Sequence, residues 1–136
     1  MGFTAKAAKS AMDENELSRI ILDAAFRVHS ALGPGLLESA YEACLAYELR
    51  AEGFNVLTQV PLPIVYREVT LDVGCRLDLL VEELVIVEVK SIDALLAIHQ
   101  AQLLSYLKLS EKRLGLLLNF NVVRLKDGIK RLVNGL

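Results

Sequence analysis

Three charged side chains, Asp78, Glu88 and Lys90, lie inside two apolar runs that are joined by the acidic pair Glu82-Glu83. The pattern predicts a tight β-hairpin. Successive strand side chains point to opposite faces, so Glu88 and Lys90 share one face. A carboxylate or an ammonium in a valine-rich strand is costly unless a partner neutralises it. A divalent cation would satisfy Asp78 and Glu88, whose hard oxygens suit Mg2+ or Mn2+, and Lys90 would then lie beside whatever this ion activates.

The register of the hairpin decides whether Asp78 and Glu88 can share an ion. With a two-residue connection, Glu88 would lie opposite Leu77 and Asp78 would face the other side of the sheet. A shared face requires an odd number of loop residues or a bulge in one strand. We therefore predict a three-residue loop, Val81 to Glu83, or a bulge.

Two helices are predicted before the hairpin. The first starts after the N-cap Asp13 and ends near Leu32, where Gly33-Pro34-Gly35 interrupts the helical pattern. The second runs from about residue 36 to residue 52. On this second helix, Glu38 borders the apolar stripe. Most helix glutamates are solvated, but a carboxylate just after Gly-Pro-Gly could also point into a cleft.

Three strands are predicted next, at Val56–Val65, Val69–Leu80 and Leu84–Lys90, and we expect them to pair in sequence as an antiparallel meander. Pro61 and Pro63 cannot donate ladder hydrogen bonds, so they restrict the first of these strands to a sheet edge.

The following helix, from about residue 93 to residue 110, is predicted to be capped by Ser91 or Asp93. It carries three polar residues on one face, namely His99, Gln102 and Tyr106. His99 is more often a satisfied histidine than a catalytic one.

The apolar run at 114–120 predicts a buried strand, reached by the helix as a crossover. Segments 122–125 and 129–133 flank Lys126-Asp127-Gly128 and predict a final hairpin. Together, the elements predict an α/β sandwich with a central mixed β-sheet flanked by helices.

With 136 residues and 54% hydrophobic content, the chain fits one packed domain, predicted at 13–136 behind a frayed N-terminus at 1–12. No apolar run reaches the roughly 18 residues that a membrane helix needs, and the N-terminus shows no apolar signal core. Cys44 and Cys75 are too few and too isolated for a disulfide framework or a zinc site, so we expect reduced thiols. A cytoplasmic protein without membrane contact is the default expectation.

The net charge of −2 differs from the basic balance of many nucleic-acid binders. The distribution is uneven, because residues 107–136 carry seven bases against two acids. These bases could contact phosphates or form a solvated face; they are Lys108, Lys112, Arg113, Arg124, Lys126, Lys130 and Arg131.

The ordered set of charged and polar residues resembles the PD-(D/E)XK nuclease superfamily. The set comprises a helical glutamate, an aspartate, an E-x-K tripeptide and a polar helix face, here Glu38, Asp78, Glu88-Val89-Lys90, Gln102 and Tyr106. The tripeptide alone is a weak signal, whereas the whole set in this order is much stronger.

The chain resembles in particular a small bacterial group labelled by a GxxExxxY signature. Gly35-Leu36-Leu37-Glu38 matches its first part, and Tyr41 comes one residue earlier than the label implies. The segments 74–78 and 101–108 also look like that group. Leu77 stands before Asp78 where the superfamily name has proline, a common departure.

The resemblance implies a restriction-endonuclease-like fold and a Mg2+- or Mn2+-dependent hydrolase of phosphodiester bonds in nucleic acid, with DNA favoured. It implies an ion held by Asp78, Glu88, the Val89 backbone carbonyl and Glu38, directly or through water. Lys90 would orient the attacking water or stabilise the transition state. Gln102 would position water or a phosphate oxygen, and Tyr41 and Tyr106 would support the site. A homodimer, or a separate protein partner that confers specificity, is compatible with so small a domain.

Each assignment has an ordinary structural alternative. Asp78 could be a strand-end aspartate, and Glu88 and Lys90 could form an ion pair on a wet face. Gln102 and Tyr106 could be surface and core residues of their helix. Two other functions also stay open: a binding or assembly module that keeps the nuclease fold without hydrolysis, and a metal phosphatase acting on small phosphate esters.

Overall fold

Helix ends lie where capping residues and glycines set them. The computed structural model describes residues 12–136, and helix α1 spans Glu14–Leu32. The Asp13 carboxylate accepts the Glu16 N–H at 2.8 Å, and Gly33 ends the helix with φ of +68°, as the sequence predicts. The segment predicted to be frayed, 1–12, lies outside the described residues except for Met12, which packs partly buried against the core.

The other two helices are shorter than predicted. Helix α2 spans Glu38–Ala51 and helix α3 spans Ala97–Ser110. The predicted caps of α3, Ser91 and Asp93, are wrong, because the N-cap is Leu96. Its N–H is satisfied instead by His99 Nδ1 from the first turn of the helix, at 2.9 Å.

The described residues form seven strands. They are β1 Val56–Pro61, β2 Ile64–Tyr66, β3 Val69–Leu71, β4 Arg76–Val81, β5 Val85–Lys90, β6 Leu114–Asn119 and β7 Ile129–Val133. Five of them form one sheet in the order β1-β4-β5-β6-β7, and β2 and β3 form a separate two-stranded sheet. The two long predicted strands at 56–65 and 69–80 are thus each divided, and β1 pairs with β4. The edge position expected for the proline-bearing strand is confirmed.

The sheet is mixed, as predicted. β5 and β6 are parallel and joined by α3, whereas the other pairs are antiparallel. The predicted terminal hairpin is wrong: residues 125–128 form a 3-10 turn, and β7 pairs with β6. Gly128 sits so close to β6 that an added Cβ would lie 2.2 Å from the Asn119 carbonyl oxygen, so the Asp-Gly pair closes a tight packed turn.

Helices cover both faces of the sheet and create two cores. Helices α1 and α2 pack on one face, against alternate residues of β5 that include Val85, Val87 and Val89. Helix α3 packs on the other face, where Leu103 and Leu107 meet Ile86 and Leu117. The predicted α/β sandwich is confirmed.

Candidate active site

The β4–β5 hairpin has an odd loop. Leu79 pairs with Val87 and Val81 pairs with Val85, which leaves the three residues 82–84 as the connection. The predicted three-residue loop is confirmed, one residue later than Val81 to Glu83. The same offset puts Asp78 across from Glu88, immediately beyond the last ladder pair.

Side chains replace the backbone ladder at that position. The Asp78 N–H donates to Glu88 Oε2 at 2.8 Å, and the Val89 N–H donates to Asp78 Oδ2 at 2.8 Å. Each carboxylate therefore bonds the opposite strand, and the paired region of β4 and β5 ends at Leu79 and Val87. The two acidic side chains hold open the point at which the strands separate.

The edge strand β1 and its neighbour β4 both change faces at this same point. In β4, Leu79 contributes to the core under α1 and α2, whereas Leu77 contributes to the core under α3. In β1, Val56 and Val60 likewise belong to different cores, although alternation should keep both on one face. Because the pairing offset is unchanged along β1 and β4, no residue is inserted. The ribbon of two strands rotates locally.

The left-handed backbone of Gln59 lies at the centre of this rotation. Its φ is +51°, and the register puts it across from Asp78, between the pairs Thr58–Leu79 and Val60–Leu77. A residue with a side chain adopts this conformation at a cost of roughly 1–2 kcal/mol. The neighbouring structure must therefore hold it there.

Burial sets the electrostatics of the two acids. Glu88 is only 5% exposed, and burial followed by the charge of Asp78 raises its pKa to about 8. Burial also raises the pKa of Asp78, while its bond from Val89 opposes that effect. The Lys90 charge lowers both pKa values. These are acids whose charged form needs a cation nearby.

Glu38 reaches the site from the first turn of α2. Its Oε2 accepts the Ser91 N–H at 3.2 Å, and the Ser91 hydroxyl donates to the Leu36 carbonyl at 2.5 Å. These bonds join the start of α2 to the residue that follows Lys90. Glu38 and Asp78 line one open cleft of about 720 Å³, together with Leu36, Leu37, Ser39, Glu42, Gln59 and Ser91.

Tyr41 supports this arrangement from the core. It is fully buried, and its ring stacks on Phe120 with centroids 4.6 Å apart. Its hydroxyl donates to the Gly33 carbonyl at 2.5 Å and accepts the Leu36 N–H at 3.1 Å. Tyr41 thus fixes the turn that delivers Glu38 to the cleft.

Gln102 and Tyr106 lie on α3 and are not among the residues lining the cleft. Gln102 Nε2 donates to the Tyr106 hydroxyl at 3.1 Å. Burial raises the pKa of Tyr106, and the charges of Glu88 and Asp78 contribute to the rise. Gln102 is exposed and donates to Tyr106, and neither side chain makes a described hydrogen bond to Asp78 or Glu88.

Asn119, at the end of β6, fixes the chain beyond Lys90. It is 1% exposed, its Nδ2 donates to the Ile92 carbonyl at 2.9 Å, and its Oδ1 accepts the Ile92 N–H at 3.1 Å. The same oxygen accepts the Asn121 N–H at 3.2 Å. One buried amide thus holds the backbone next to Ser91, which binds Glu38.

The acidic donors fit a hard divalent cation. Glu88 Oε1 lies outside the bonds between β4 and β5, and so does Asp78 Oδ1, which the Gln59 amide approaches at 3.4 Å. Within residues 12–136, no group of three or more His, Cys, Asp and Glu side chains is arranged to hold a metal ion. Mg2+ keeps several waters and takes one or two protein carboxylates, so a two-carboxylate site suits it.

The basic residues of the C-terminal quarter do not converge on the cleft. β6 runs parallel to β5, so Lys108, Lys112 and Arg113, which lie just before it, are at the end of the sheet away from Lys90. Arg113 pairs with Glu14 at 3.9 Å, and Arg131 hydrogen-bonds Asn15. The turn after β6, with Arg124 and Lys126, returns to the end where Lys90 lies, and Lys130 on β7 pairs with Leu117, the residue of β6 that pairs with Glu88.

The sequence did not predict four residues at the site: Glu42, Gln59, Asn119 and Ser91. Ser91 donates a backbone hydrogen bond to Glu38. Glu42 could have been found, since it lies four residues after Glu38 and hence on the same helix face. Asn119 ends an apolar run, which is a weaker signal. Nothing in the sequence marks Gln59, because its role depends on its backbone conformation.

Comparison with known proteins gives one match. A family model described as the PD-(D/E)XK nuclease superfamily covers residues 15–132, nearly all of the described chain. No curated protein and no solved structure matches significantly. None of the helices among residues 12–136 is both long enough and apolar enough to span a membrane.

Proposed function

Because this chain belongs to the PD-(D/E)XK nuclease superfamily, we propose that it is a metal-dependent nuclease that hydrolyses phosphodiester bonds, with DNA as the favoured substrate. The observation that carries the proposal is the interrupted end of the β4–β5 hairpin. There Asp78 lies across from the buried Glu88, and Lys90 follows two residues later.

The proposal gives each residue a task. Asp78 and Glu88 hold Mg2+ or Mn2+, helped by the Val89 carbonyl and by Glu38 directly or through water. When bound, such an ion lowers the pKa of a water molecule and neutralises charge on the phosphate. Lys90 adds a fixed positive charge that orients the attacking water or stabilises the transition state.

Two further tasks fall to α3. Gln102, hydrogen-bonded to Tyr106, positions a water or a phosphate oxygen. Tyr106 packs beside it at the edge of the second core. This part of the proposal requires the substrate to extend from the cleft toward α3, because neither residue lines the cleft itself.

The substrate is proposed from the family and from the charge distribution. The turn with Arg124 and Lys126 lies at the same end of the sheet as Lys90 and would contact phosphates. Sequence specificity would come from a homodimer or from a separate protein partner. A cytoplasmic location is part of the same proposal.

The test is cleavage of supercoiled plasmid, single-stranded DNA and single-stranded RNA with Mg2+, Mn2+ or EDTA. Glu88→Gln and Lys90→Met are compared with the parent, and Glu83→Gln serves as a matched control at the exposed turn of the same hairpin. We expect metal-dependent cutting that falls about 100- to 1,000-fold in Lys90→Met. We expect no cutting above background in Glu88→Gln and parental cutting in Glu83→Gln.

Other results would assign another function. Cutting that survives in EDTA, or in both site variants, would contradict the proposal. Metal binding by calorimetry without cleavage of any polymer would favour a binding module, and turnover of a chromogenic phosphate ester alone would favour a phosphatase.

A further inference from the structure

Gln59 connects two acidic side chains that come from different elements. Its Nε2 donates to Glu42 Oε1 at 2.8 Å and approaches Asp78 Oδ1 at 3.4 Å. An amide nitrogen has two hydrogens and can serve both acceptors, whereas the amide oxygen would be repelled by both. The side chain thus spans the cleft between α2 and β4.

The bridge offsets a repulsion that would otherwise spread the cleft. Burial and then the charge of Asp78 raise the pKa of Glu42, so the two carboxylates oppose each other's ionisation. The Gln59 amide lies between the two carboxylates and donates to both, which offsets their repulsion. A neutral donor between two like charges keeps them close without adding a competing charge.

The backbone of Gln59 is equally specific to this place. Its left-handed conformation lies at the rotation that moves Val60 to the second core, directly across from Asp78. Extended backbone at this position would restore alternation and keep β1 and β4 in one plane. The left-handed conformation of Gln59 is therefore part of the geometry that turns β1 and β4 beside Asp78.

We infer that Gln59 is a positioning residue for the proposed reaction. Its side-chain amide orients the Asp78 carboxylate, and its left-handed backbone sets the local rotation of β1 and β4. The inference rests on the proposed nuclease function. Gln59 touches neither substrate nor ion in this role; it acts through Asp78, and through Glu42 on the helix that carries Glu38.

Substitutions at Gln59 can distinguish the role of its side-chain amide from the role of its backbone conformation. Gln59→Gly keeps the left-handed conformation at no steric cost and removes the amide, so the variant should fold. Gln59→Asn tolerates the same backbone and keeps a donor that is one methylene shorter. Thr58→Ala, at the exposed neighbouring position on β1, is the matched control.

The measurements are Mn2+ affinity by calorimetry without nucleic acid, kcat and KM on DNA, and the free energy of unfolding. We expect Gln59→Gly to raise the Mn2+ dissociation constant and lower kcat, each about 10- to 100-fold. KM and unfolding should stay near the parent, Gln59→Asn should recover part of the loss, and Thr58→Ala should match the parent.

The outcomes separate this inference from the proposed function. If the parent cuts DNA and Gln59→Gly binds Mn2+ and cuts as the parent does, the positioning role is wrong and the nuclease proposal stands. If the parent neither binds metal nor cuts, the nuclease proposal fails and the positioning role fails with it.

Discussion

At its turn the β4–β5 hairpin carries Glu82 and Glu83, and at its open end it carries Asp78 and Glu88. The turn acids have left-handed backbones, and Glu83 is exposed. The acids at the open end are at least partly buried, and each bonds the backbone of the opposite strand. Glu82 is half-buried and accepts the Asn55 N–H, so the contrast lies between the exposed Glu83 and the acid pair at the open end.

The difference teaches where a reactive site can arise in a sheet. At the turn the backbone ladder is complete, and the exposed Glu83 carries its charge in solvent at little cost. At the open end the backbone ladder stops, and the two carboxylates accept the backbone N–H groups of Asp78 and Val89 instead. Burying these carboxylates costs free energy. The proposed cation site thus lies where the sheet is interrupted.

The largest expected effect is the pH dependence that Glu88 imposes on metal-free stability. Its pKa of about 8 lies above the ordinary 4.5, so between these values the folded state keeps a proton that the unfolded chain has released. Stability from this group is full below about pH 4.5 and is lost as pH rises through 8. We expect a decline of a few kcal/mol.

Chemical denaturation in EDTA between pH 5 and pH 8.5 measures that decline. Glu88→Gln should flatten it, and Glu83→Gln should leave it in place. Added Mg2+ should stabilise the parent more at pH 8 than at pH 6, because the ion requires the ionised carboxylate. If unfolding free energy declines equally with pH in the parent and in Glu88→Gln, the acids at the turn and at the open end of the hairpin do not differ as described.

An intermediate effect is expected from two asparagines at opposite ends of the sheet. Asn119 is buried at the open end and makes three backbone bonds, whereas the half-buried Asn134 bonds the Lys112 carbonyl at the other end. Asn119→Ala should cost about 2–3 kcal/mol, since it leaves buried groups without partners. Asn134→Ala should cost about 1 kcal/mol or less.

Urea unfolding of both variants measures that difference. Asn119→Ala should also slow cleavage, because Ser91 and Glu38 depend on the segment that Asn119 holds. Similar unfolding costs in the two variants would show that burial at the open end carries no extra penalty.

The smallest effect is expected from relieving strain at the turn. Glu83 has φ of +55°, which glycine adopts without cost. Glu83→Gly should change unfolding free energy by less than about 1 kcal/mol and should leave cleavage at the parental rate. The same change at Gln59 is expected to reduce cleavage. A Glu83→Gly variant with impaired cleavage would mean that the turn end also serves the reaction.

Much of the site was predictable because its chemistry violates a pattern. Charged residues within apolar strands point to Asp78, Glu88 and Lys90 as candidates. Because side chains alternate between faces along a strand, the spacing of Asp78 and Glu88 requires an odd number of loop residues. The crossover to β6 also follows from the order of elements. These predictions rest on rules that operate over a few neighbouring residues.

The remainder depends on tertiary geometry. Gln59 has no distinguishing neighbours in the sequence, and its role arises from a positive φ and a register set by Asp78. The terminal Asp-Gly turn failed as a hairpin signal because Gly128 packs against the end of β6. Local turn chemistry favours a hairpin there, but close packing decides the outcome.

The small sheet of β2 and β3 gives the chain a place to vary. Pro61 and Arg76 form the last pair of β1 and β4, so residues 62–75 form an insertion whose two ends lie side by side at the central sheet. The length of this excursion is therefore not fixed by the positions of Gln59 and Asp78. We expect insertions or proteolytic nicks at its tip, Arg67-Glu68, to be tolerated. A module that reads nucleic-acid sequence could be grafted there without rebuilding β4 and β5, which carry the proposed site.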